Sequence, residues 1–111
     1  MTNPIELIVD ENKGFFDVLD AERQQTVRDY LDMVLSFSYG RATNQQKSAH
    51  QFAMTSDNQN IMDVLDTAQK ILHRNGYIKL GQDDIYVATE RGIKFMEDHY
   101  SGQEICGVKI R

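Results

Sequence analysis

One stripe of apolar residues constrains this chain more than any other feature. Ile61, Val64, Leu65, Ala68, Ile71 and Leu72 recur at three- and four-residue spacing, which places all six on one side of an α-helix. The stripe stops at Asn75-Gly76, where glycine can take the left-handed conformation without a side-chain clash. Two short strand-like runs follow, Tyr77–Leu80 and Ile85–Ala88, around the turn residues Gly81-Gln82-Asp83-Asp84. The pattern predicts a helix over about 57–75 and then an antiparallel hairpin. Ile78 and Leu80 would share one face, and Ile85 and Val87 one face of the partner strand. Thr89 is placed to cap a further helix, with Glu90 at its positive end and Ile93, Met96 and Tyr100 at buried spacing.

Upstream, Val27, Tyr30, Leu31, Val34 and Leu35 predict a long helix from Ala21 to Tyr39, capped by Asp20 and stopped by Gly40. A second helix is expected over about 44–53, with Thr43 and Gln46 as a capping box; Ser56 and Gln59 would form another at the start of the third. Residues 1–20 read as an N-terminal arm. There Ile5, Leu7 and Val9 alternate with Glu6 and Ile8 as a short strand that Pro4 would begin, and Phe15-Phe16 forms an apolar patch. The patch would cover either its own domain or a second copy. Residues 21–100 form the domain proper, and the tail 101–111 ends in one further strand over 104–111. The expected fold class is therefore α+β and mostly helical.

A chain of 111 residues suits one domain. Hydrophobic residues make up 41% and charged residues 26%, the balance of a globular protein rather than a disordered one. No apolar run approaches the roughly 20 residues that span a bilayer, and the first residues lack an export pattern. The single cysteine, Cys106, has no internal disulfide partner, which fits a reducing cytoplasm. The net charge of −5 is unevenly spread. Residues 1–38 hold eight acids against three bases, whereas residues 39–111 hold nine of each. The overall field therefore does not steer the chain toward nucleic acid.

Two segments carry a family resemblance: Ile71-Leu72-His73-Arg74-Asn75-Gly76-Tyr77-Ile78, and Tyr86-Val87-Ala88-Thr89-Glu90-Arg91-Gly92-Ile93-Lys94-Phe95-Met96. The first resembles the end of a winged-helix recognition helix, and the second the start of the helix after the wing, with Ala88 where leucine is usual. Both are similar to segments of MarR-like and PadR-like regulators. Gly76 would let the chain reverse, and Gly92 would let the last helix approach the sheet closely.

The resemblance implies a winged helix-turn-helix protein that binds double-stranded DNA, a small transcriptional or mobile-element regulator working as a homodimer. Its third helix would enter the major groove, with half-sites about one helical turn apart. Asn58, Gln59 and Asn60 would then meet base edges, since Asn and Gln bond adenine in a bidentate way. Arg41, Lys47, Lys70 and Lys79 would meet phosphates, with Gln45, Gln46 and His50 beside them. Other residues oppose this. Asp63 and Asp66 lie opposite the apolar stripe, Lys70 is spaced to pair with Asp66, and the hairpin tip is Gln82-Asp83-Asp84. Polar residues at a helix start also serve simply as caps. The competing expectation is a protein-interaction or dimerisation module of the same fold, because fold does not determine function. No enzyme, cofactor or metal site is expected. His50, His73, His99 and Cys106 lack ligand spacing, and there is neither a phosphate loop nor a nucleophile motif.

Overall fold

A computed structural model describes residues 4–45, 59–105 and 107–111. Helices α1 (Ile5–Glu11) and α2 (Lys13–Asp17) precede the long α3 (Ala21–Ala42). Helix α4 (Gln59–Arg74) leads into strand β1 (Ile78–Leu80), a 3-10 turn (Gln82–Asp84) and strand β2 (Tyr86–Ala88). Helix α5 (Glu90–Tyr100) and strands β3 (Glu104–Ile105) and β4 (Val108–Lys109) complete the order. The expected second helix falls mainly on residues 46–58, outside the described residues, as do Gln46 and Ser56 of the two capping boxes.

Helix α3 is the axis around which the other elements pack. Asp20 caps it, its carboxylate accepting the Arg23 N–H at 2.8 Å. Val27, Leu31, Val34 and Leu35 are buried as the spacing requires, and Tyr30 is half-buried. Gly40 does not end this helix. It lies within the last turn, and Val108 presses on it: a Cβ at Gly40 would meet the Val108 methyls at 3.1 and 3.2 Å. Small size is needed there, not a left-handed backbone. The helix ends at Thr43, whose hydroxyl donates back to the Tyr39 carbonyl at 2.9 Å. Ser36, Ser38 and Tyr39 are also buried, so the second half of α3 is covered on nearly every side.

Helix α4 lays Leu65, Ala68, Ile71 and Leu72 on α3. Full burial of each Leu or Ile is worth about 1.5–3 kcal/mol. Gly76 (φ +79°) makes the reversal into β1. The hairpin is antiparallel, with Ile78 opposite Ala88, Lys79 opposite Val87 and Leu80 opposite Tyr86. Only its root is buried: Ile78 and Ala88 are buried, whereas Leu80, on the same face of the strand as expected, is 51% exposed. Thr89 caps α5, accepting the Gly92 N–H at 3.2 Å. Gly92 proves indispensable by geometry, since a Cβ there would sit 2.1 Å from the Tyr77 carbonyl oxygen.

The N-terminal segment corrects the expected strand, because residues 5–11 are helical. Ile5, Ile8 and Val9 are buried at helical spacing and Leu7 points outward. Phe16 joins the same core at 3% exposure, so this part of the patch covers its own domain. Glu6 accepts from Arg28 Nε at 2.7 Å, and Gln24 Nε2 donates to the Phe16 and Leu19 carbonyls at 2.8 and 2.9 Å. The tail is a two-stranded hairpin rather than one strand, with Glu104 opposite Lys109 and Ile105 opposite Val108. Among the described residues no helix is long and apolar enough to cross a membrane.

Candidate nucleic-acid interface

The outer face of α4 follows from its inner one. With Leu65, Ala68, Ile71 and Leu72 turned inward, Asp63, Asp66, Lys70, His73 and Arg74 are left exposed. Lys70 Nζ lies 2.9 Å from Asp66 Oδ2, the pair foreseen from their spacing. A hydrogen bond and the charge of Asp66 raise the Lys70 pKa above its ordinary value, while both side chains stay exposed. Asp63 sits one turn earlier on the same face.

The remaining candidates are scattered. Gln46, Lys47, His50 and Asn58 lie outside the described residues. Gln59 and Asn60 open α4, and their side chains are likewise outside what is described. Arg41, in the last turn of α3, is half-buried, and burial lowers its pKa. Gln45 is engaged within the fold. Its amide accepts the Lys109 N–H and donates to the Lys109 carbonyl, both at 2.8 Å, and it also donates to Thr43 Oγ1 at 3.0 Å. Lys79 is exposed in β1. Asp84, at the tip, is exposed with a left-handed backbone (φ +57°). The structure therefore brings Asp63, Asp66 and Lys70 onto one face and leaves Arg41, Gln45 and Lys79 on separate elements.

Sequence reasoning missed the arginines around the hairpin root. Arg91 Nη1 donates to the Asn75 carbonyl at 2.8 Å and Nη2 to the Tyr77 hydroxyl at 3.2 Å. Its guanidinium lies 4.5 Å from the Tyr77 ring centroid, and Glu11 is 3.5 Å away. Arg74 stands 5.7 Å above the Phe15 ring. Asn75 Nδ2 donates to Asn12 Oδ1 at 2.8 Å, which ties the N-terminal helices to the end of α4. The Thr-Glu-Arg-Gly run marked the helix start; no spacing rule connects it to Glu11, 80 residues away.

Two tyrosines fasten α5 to α3. Tyr100 donates to Asp32 at 2.7 Å and Tyr39 to Glu97 at 2.8 Å. Burial chiefly, with the adjacent carboxylates adding, raises both phenol pKa values. Among the described residues no group of three or more His, Cys, Asp or Glu could hold a metal ion. No family model matches the chain, and neither a curated protein nor a solved structure matches it.

Proposed function

We propose that this chain is a winged-helix module that works by docking protein, its own copy included, rather than by gripping DNA. The order α4, hairpin, capped α5 supports the winged-helix reading, with Gly76 and Gly92 where that fold would need them. One observation carries the choice of partner. The described part of the outer face of α4, the face such a fold lays in the major groove, carries Asp63 and Asp66 against Lys70 and Arg74, with Lys70 paired to Asp66. It therefore lacks the net positive charge on which phosphate contacts, a large share of DNA affinity, depend.

DNA binding is the second reading. Lys79, exposed on the hairpin where a wing touches the backbone, favours it. Lys47, His50, Asn58 and the side chains of Gln59 and Asn60 are its remaining candidates.

Fluorescence anisotropy with a mixed-sequence duplex separates the two, at roughly 20 and 150 mM salt. Protein docking predicts no saturable binding at either salt, and no rescue by the double variant Asp63→Asn/Asp66→Asn. Binding that weakens steeply with salt, and strengthens in the double variant, would overturn it in favour of DNA. Sedimentation equilibrium then reads self-association directly, where a dimer identifies a second copy as the partner.

A further inference from the structure

Between α2 and the end of α4 lies an open cleft of about 480 Å³, lined by Glu11, Asn12, Gly14, Phe15, Arg74 and Asn75. Its size falls within the range of small-molecule sites. Its walls are held in place. Asn12, 8% exposed, donates to the Ile8 carbonyl at 2.7 Å and accepts from Asn75 at 2.8 Å, while Asn75 also donates to the Ile71 carbonyl. Gly14 leaves room, for a Cβ there would meet nothing within 4 Å.

The cleft carries one base, Arg74, and one acid, Glu11. Arg74 is exposed, lies 5.7 Å from the Phe15 ring centroid, and forms no ion pair among the described residues. A guanidinium without an ion-pair partner can make a two-point bond to an oxyanion. Glu11, the acid of the wall, faces Arg91 at 3.5 Å, and Lys13 is the next cation along the chain. The negative end of α4 is covered as well. The carbonyls of Ile71, Leu72, His73 and Asn75 already accept bonds from Asn75, Tyr77, Gly76 and Arg91.

We propose that this cleft is a binding site for a small oxyanion, the phosphate or carboxylate end of a metabolite, with Arg74 as its fork.

The test is a titration of the full 15N-labelled chain, followed by amide shifts, with sodium phosphate and sodium acetate as separate probes. Sodium chloride at matched ionic strength is the reference. Titration to about 50 mM covers the weak affinity expected of one charge-assisted contact. Saturable shifts at Gly14, Phe15 and Asn75 that chloride does not reproduce are expected, and the tighter probe identifies the phosphate or the carboxylate source. Arg74→Gln should weaken binding roughly tenfold. Arg74→Lys, which keeps the charge and loses the fork, should weaken it less. Equal shifts with chloride, or unchanged titrations in a folded Arg74→Gln protein, would overturn the site. Should Arg74→Gln fail to fold, Arg74→Lys decides, since an affinity equal to that of the unaltered chain removes the fork.

Discussion

The hairpin β1–β2 meets α5 at a close main-chain contact, whereas the hairpin β3–β4 meets α3 through side chains. At the first, Gly92 approaches the Tyr77 carbonyl so closely that no Cβ fits. At the second, Gly40 meets side-chain atoms, chiefly the Val108 methyls, while Gln45 and Tyr39 bond the backbone of Lys109 and Arg111. Main chain cannot retreat without dragging an element with it, but a methyl group or an amide can shift by tenths of an ångström. A contact of the first kind is all-or-none, and one of the second is graded.

Gly92→Ala should therefore have the largest effect, a loss of about 3 kcal/mol from overpacking. Urea unfolding measures it, and a loss below about 1 kcal/mol would remove the contrast between the hairpins. Tyr100→Phe, which leaves Asp32 without its hydroxyl donor, should cost about 2 kcal/mol. This tyrosine also sharpens the comparison through pH. A folded pKa raised above the ordinary 10.0 gives stability that is complete below pH 10 and lost as pH climbs through the raised value. The melting temperature should fall above pH 10, and less steeply in Tyr39→Phe and Tyr100→Phe. Gln45→Ala removes two bonds to Lys109 at a half-buried position and should cost about 1 kcal/mol. Gly40→Ala should change least. Crowding of Val108 opposes the roughly 1 kcal/mol that alanine gains over glycine inside a helix. A loss as large as that of Gly92→Ala would show that both glycines serve the same purpose.

The elements best read from sequence were those with a local cause. The α4 stripe, Gly76 and the Thr89 cap each act within a few residues, and each stands where its pattern placed it. The misread ones depend on distant partners. Ile5, Leu7 and Val9 fit an alternating strand, but Ile8 completes a helical face once α3 is there to receive it, and Pro4 serves a helix start as well as a strand. Gly40 fits a helix stop until Val108, 68 residues on, is packed against it. The candidate interface divides in the same way. The Asp66–Lys70 pair was legible because it is one turn long. Nothing in the chain announced that Gln45 would be taken by Lys109, or that Arg74, Phe15, Asn12 and Asn75 would gather around one cleft.

Three consecutive carbonyls at the root of the first hairpin are each held by the start of α5. Arg91 takes that of Asn75, and the Thr89 hydroxyl and N–H take those of Gly76 and Tyr77. The turn into the hairpin therefore cannot part from α5 without leaving three carbonyls stripped of their donors.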